Sequence, residues 1–143
     1  MPAGFWRRYL ALTAGANLAW EAAQLPLYSI WQTATPGELA FAILHCTGGD
    51  VMIAGAALAL ALLALPPSRR QGRGLVIAAT GLGLLYTVFS EWMNVEWRAS
   101  WTYAPAMPRL SPFGTGVSPF LQWLLLPPLC LIATRTILRG ATR

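Results

Sequence analysis

Glu21, Asp50 and Glu91 each fall inside an apolar stretch of the chain, where an ionisable side chain is costly and by default marks a function. Asn17 and Gln24 stand four residues before and three after Glu21, so the three share one helical face. Thr87 and Asn94 bracket Glu91 with the same spacing. His45 opens the segment His45-Cys46-Thr47-Gly48-Gly49-Asp50, and Gln122 and Trp123 begin a further apolar run. Carboxyls and an imidazole held together in apolar surroundings can pass protons to and from a bound molecule.

Glu21, His45, Asp50 and Glu91 are therefore the candidate catalytic set. Glu91 and Glu21 form the preferred acid/base pair, with His45 or Asp50 as relay. Asn17, Gln24, Asn94, Trp92, Trp101, Tyr103, Gln122 and Trp123 are the candidate substrate-binding residues. Their rings suit an apolar molecule or a developing positive charge. A structural alternative uses the same polar groups as a hydrogen-bonded plug that fixes helix register, at about 0.6 kcal/mol per contact.

Other chemistries find less support. His45 and Asp50 are about 140° apart on an ideal helix, and no standard metal-ligand spacing occurs, so no metal site is expected. A single histidine leaves haem without a second axial ligand, and no cofactor is expected. No nucleophile elbow or phosphate-binding glycine loop is present.

The elements that must position these groups are membrane spans. The chain has 143 residues, 56% hydrophobic and only 10% charged, which is not the makeup of a soluble domain. Segments 9–31, 39–65, 75–93 and 119–138 are each about the ~20 residues needed to cross a bilayer core. All ten basic residues are arginine, and eight of them lie at the termini and in the loop between the second and third segments. By the positive-inside rule both termini are cytoplasmic, as four spans require. The expected fold is all-α, a polytopic antiparallel four-transmembrane-helix bundle forming a single domain.

In that orientation all five acidic residues lie in or beside the outer half of the bilayer. Counting ~1.5 Å per residue from Leu39 puts His45 about 9 Å and Asp50 about 16 Å deep. The inner half has almost nothing ionisable, so a transport conduit through one monomer is not expected. The net charge of +5 reads as topology and contact with anionic lipid rather than as a nucleic-acid surface.

Local signals refine this. Arg7-Arg8 and Ala14-Gly15-Ala16 outline a signal peptide, but the apolar run between them is short, and an uncleaved first span is expected. Pro26 should kink the outer end of that span. The short 32–38 loop makes spans one and two a hairpin. Gly48 and Gly49 are expected to let neighbouring backbones approach, and Gly72, Gly74, Gly81 and Gly83 are further packing candidates. Residues 99–118 form the long outer loop, stiffened by Pro105, Pro108, Pro112, Gly114 and Gly116 and approached through Trp92, Trp97, Trp101 and Tyr103. It should lie on the bundle as an aromatic lid. Cys46 and Cys130 are expected as inert buried thiols. Arginine and alanine without lysine suggest a GC-rich bacterial genome, hence a bacterial inner membrane.

The tail Glu91…Trp101-Thr102-Tyr103…Pro105…Gly116-Val117-Ser118-Pro119…Trp123 resembles carotenoid-modifying membrane enzymes of the hydratase and lycopene-cyclase type. In those a span ends in glutamate and is followed by an aromatic-x-Tyr loop and a proline re-entry. The resemblance covers residues 91–123 and implies an apolar polyene protonated by Glu91. The whole chain is similar to small bacterial four-span proteins. The expected function is therefore binding of, or acid/base chemistry on, an isoprenoid or lipid, with membrane lipids as partners. The alternative is a non-catalytic subunit or assembly component of a larger membrane complex.

Overall fold

A computed structural model describes residue 1 and residues 3–70 and 72–140. It is mostly helical, with α1 (Ala3–Gln24), a short α2 (Ile30–Thr33), α3 (Pro36–Ala64), α4 (Arg73–Glu91) and α5 (Val117–Gly140). The four long helices form a ring, α1 and α4 each packing against both α3 and α5. Their register is antiparallel. Leu10 lies 3.5 Å from the Cβ position of Gly55, whereas Glu21 meets the earlier Asp50 through Gln122. Gln24 likewise reaches Ser118.

The helix limits differ from the hydropathy segments for local reasons. α1 begins well before residue 9 and ends at Gln24, giving way to a 3-10 turn at Leu25–Leu27 that contains Pro26. The proline terminates the helix rather than kinking one that continues, because its ring and missing N–H oppose another α-turn. α3 starts at Pro36, where Thr35 and Glu38 form a reciprocal cap. The Thr35 backbone N–H donates to Glu38 Oε2 at 2.8 Å, and Glu38 N–H donates back to Thr35 Oγ1 at 3.4 Å. α4 runs on as a π-helical turn, Trp92–Trp97, in which Arg98 N–H donates to Met93 O at 2.8 Å. Ala99 then closes the helix with φ of +50°, the left-handed geometry usual just past a helix end.

Three helices, Pro36–Ala64, Arg73–Trp97 and Val117–Leu138, are long and apolar enough to cross a membrane. α1, carrying Arg7, Arg8 and Glu21, is not among them. The distribution of side chains agrees with a lipid environment. Phe41, Met52, Leu63, Ile77, Leu85 and Phe89 are exposed, while Asn17, Glu21, Gln24, Asp50, Glu91 and Gln122 are buried. In water so much exposed apolar surface would drive association.

The interior itself is divided. Toward one end lie Phe5, Tyr9, Ala54, Leu58, Ala61, Leu75, Ala79 and Leu131, an apolar core. Toward the other lie Asn17, Glu21, Gln24, Thr47, Asp50, Thr87, Glu91, Asn94 and Gln122. Trp123 stands between the halves and seats the two. Gly48 and Gly49 do not serve close packing as expected, since a Cβ at either position would meet nothing within 4 Å. Of the glycines named from sequence, Gly83 makes the intimate helix contact, against the ring of Trp123.

The loop after α4 folds across the polar end as a cap. Residues 102–104 run antiparallel to 27–29: Ser29 N–H donates to Thr102 O at 3.0 Å and Ala104 N–H to Leu27 O at 2.9 Å. A two-residue hairpin follows, β1 (Arg109–Leu110) with β2 (Thr115–Gly116). Val117 N–H donates to Pro108 O at 2.8 Å and so joins cap to α5. Ala104, Met107 and Thr115 are the buried residues of this cap. At its rim Arg109 is paired with Glu96.

Candidate functional site

Two polar clusters occupy the capped half of the bundle. The first is built around the amide of Gln122. Its Nε2 donates toward Asn17 Oδ1 at 2.8 Å, Glu21 Oε1 at 2.9 Å and Asp50 Oδ2 at 2.9 Å, tying α1, α3 and α5 to one nitrogen. Gln24 Nε2 donates to Glu21 Oε1 at 2.8 Å and to Gln122 Oε1 at 3.2 Å. Gln24 Oε1 in turn accepts from Ser118 Oγ at 2.7 Å and from the Trp20 indole at 3.2 Å. The helical face read from Asn17, Glu21 and Gln24 faces inward as one unit, and Gln122, which also holds Asp50, meets it.

The second cluster joins the end of α4 to the cap. The Tyr103 phenol donates to Glu91 Oε2 and accepts from the Gly116 backbone N–H at 2.9 Å. That approach needs glycine, because a Cβ at 116 would lie 3.0 Å from the Tyr103 ring and from Met107 Sδ. The Tyr28 ring centroid is 5.4 Å from that of Tyr103, and the Arg109 guanidinium carbon is 5.2 Å from the Tyr103 centroid, a cation–π distance.

Tyr28 connects the clusters, interacting electrostatically with Glu91, Tyr103, Glu21 and Cys46. Burial, then Glu91, push its phenol well above the ordinary tyrosine value. Burial first and then Glu91 do the same to Tyr103. Both phenols lie outside the long helices, and that of Tyr103 donates to Glu91.

Four expectations need correction. His45 is exposed and stacks on Phe41, centroids 5.4 Å apart. Five residues of helix turn it away from the face that carries Asp50, so it is no part of either cluster. Trp92 is exposed and stacks on Trp97 at 6.2 Å, not on the polar interior. Asn94 is buried but folds back on its own helix, donating to Ser90 O at 2.9 Å. Cys46 and Cys130 are both free thiols, and Cys46 is exposed rather than buried.

Tyr28, Trp20 and Ser118 were not singled out from the sequence. Trp20 sits four residues before Gln24, a detectable helical spacing. Tyr28 and Ser118 carry no such signal, because the backbone outside α1 and at the start of α5 decides where they point. Among the described residues, no three His, Cys, Asp or Glu side chains are grouped to hold a metal ion. Glu38 and Glu96 are engaged in the α3 cap and the Arg109 pair.

Comparison with models of protein families, with curated proteins and with solved structures finds no match.

Proposed function

We propose that the chain is a four-span protein of a bacterial inner membrane, with both termini cytoplasmic and the cap on the outer side. Its polar half-bundle binds an apolar or amphipathic isoprenoid or lipid and acts on it by proton transfer. The observation that carries this reading is the Glu91–Tyr103 hydrogen bond beneath the cap. It joins a buried carboxyl at the end of one helix to a phenol of the cap, whereas a plug that only fixes helix register needs bonds between helices.

In the proposed chemistry Glu91 gives its proton to a double bond or oxygen of the bound molecule. Tyr103 stabilises the carboxylate left behind by hydrogen bonding. The Tyr28 ring lies beside the site and can face the developing cation. The acid/base pair is thus Glu91 with Tyr103, while Glu21 belongs to the amide-clamped cluster. Mass spectrometry of lipids extracted from the purified protein tests this. A stoichiometric isoprenoid or lipid, lost in Glu91→Gln or chemically altered only when Glu91 is present, is the expected result. Its absence, with the Glu91→Gln phenotype unchanged, would refute it.

A second reading, a non-catalytic subunit of a larger complex, is favoured by the groove of about 410 Å³ between α1 and α5. Ala11, Gly15, Ala16 and Ala133 line it, the small-residue surface that lets another membrane helix approach closely. Recovery only together with other polypeptides, without bound lipid, would select this reading.

A further inference from the structure

The π-helical turn that ends α4 builds a feature the two polar clusters do not use. On an α-helix Trp92 and Trp97, five residues apart, would point about 140° apart. The i→i+5 bonding of a π-turn sets such residues almost one above the other, and the bond from Arg98 N–H to Met93 O is of that kind. The two indoles accordingly stack on one face, with centroids 6.2 Å apart and planes at 30°. Glu96 joins them, and the three side chains line a groove of about 340 Å³. Such turns are rare and often mark a functional site.

The groove is open, and its charges select among occupants. Trp97 is 72% exposed and Trp92 38%, so their rings are offered outward instead of filling the core. The face of an indole attracts a cation held within about 6 Å of the ring centre. Glu96 adds a carboxylate, 43% exposed, whose Oε1 is paired with Arg109. Its Oε2 accepts no hydrogen bond among the described residues. The Arg109 guanidinium, 45% exposed, stands beside that carboxylate. A zwitterion fits this pattern, with an ammonium group against the indoles and Glu96 and a phosphate next to Arg109. An apolar occupant would strip water from the open carboxylate oxygen without replacing it.

We infer that Trp92, Glu96 and Trp97 form a binding site for the ammonium headgroup, primary or quaternary, of a zwitterionic phospholipid. The inference rests on the membrane reading above, which puts the cap at a bilayer surface, and not on the proton chemistry assigned to Glu91. The site holds one lipid at the cap rim, outside the capped polar half-bundle.

Native mass spectrometry of the whole chain in detergent, titrated with phosphatidylethanolamine or with its N-acetylated form, tests the inference. Acetylation removes the ammonium charge and keeps the phosphate. The wild type should bind the ammonium lipid about fivefold more tightly, the size expected of a partly exposed cation–π contact. Glu96→Gln and Trp97→Leu should each lose that preference. Arg109→Gln breaks the same ion pair but spares the carboxylate, and it should keep the preference, as should Glu91→Gln. In the unaltered chain with phosphatidylcholine, nuclear Overhauser contacts from the headgroup methyls should fall on Trp92 and Trp97. They should be weaker on Trp31 and Trp101, which are also exposed. Equal affinity for the two lipids overturns the inference, as does a preference that survives in Glu96→Gln or Trp97→Leu. So does its loss in Arg109→Gln or Glu91→Gln, or an even spread of methyl contacts over the exposed tryptophans. The wild-type measurements decide the matter even if a variant fails to fold.

Discussion

The indole of Trp123 lies against Gly83 so closely that a methyl group on the glycine would overlap its six-membered ring. The contact locks α4 to α5 where the apolar core meets the polar clusters. Gly83→Ala should therefore destabilise the bundle by about 1–3 kcal/mol through overpacking. Pairing it with Trp123→Leu should recover part of the loss. Thermal unfolding in detergent checks both. If Gly83→Ala is neutral, the ring is not held where the contact requires.

Gln122→Leu removes the donor shared by Asn17, Glu21 and Asp50 and leaves their oxygens short of partners in the interior. Stranding a buried polar group costs about 1–3 kcal/mol, and more when it is charged. The loss should exceed that of Ser118→Ala, which removes one bond to Gln24. Denaturation of the two variants side by side measures the difference. Equal stabilities would contradict the central role given to Gln122.

Tyr103→Phe keeps the ring under Arg109 but deletes the bonds to Glu91 and Gly116. Hydrogen exchange across residues 103–116 should rise several-fold, while the long helices keep their protection. The pH dependence follows from the phenol being raised above its ordinary value by burial and by Glu91. A group shifted upward contributes fully below its unfolded pKa of about 10 and loses that contribution as pH climbs beyond it. Cap protection should thus stay level from neutrality to about pH 10 and fall only above it. Ultraviolet titration should show one late-ionising tyrosine fewer in the variant. A decline that begins near neutral pH would rule out this phenol as its source.

Ala99 holds a left-handed conformation that costs a residue with a Cβ about 1–2 kcal/mol. Ala99→Gly should relieve it, offset in part by the greater freedom of glycine in the unfolded chain. A net gain of about 0.5–1 kcal/mol in thermal stability is expected. A destabilised variant would show that the side chain makes a contact worth more than the strain.

The sequence made the inward faces legible because spacing on a regular helix fixes direction. Asn17, Glu21 and Gln24 all lie buried on one face of α1, and Thr87 and Glu91 are buried on α4. His45 could not be placed by kind of residue, since being polar within an apolar run did not bring it inward. Its angle from Asp50 was the better guide. Least legible was the partner of Glu91. Tyr103 reaches it only after a π-turn, a left-handed alanine and a pairing with residues 27–29. None of these has a periodic signature. Helix ends were misread where a proline or a cap overrides hydropathy, as at Gln24 and Thr35.

The backbone bonds between residues 27–29 and 102–104 tie together two connections that are far apart in the chain. They form a roof over the end of the bundle nearest Glu91. A visitor to that carboxyl arriving along the bundle axis would have to peel the roof away. A gap between helices, opening sideways, demands no such rupture. For the lipid ligand proposed above for Glu91, entry sideways between helices would leave those backbone bonds intact.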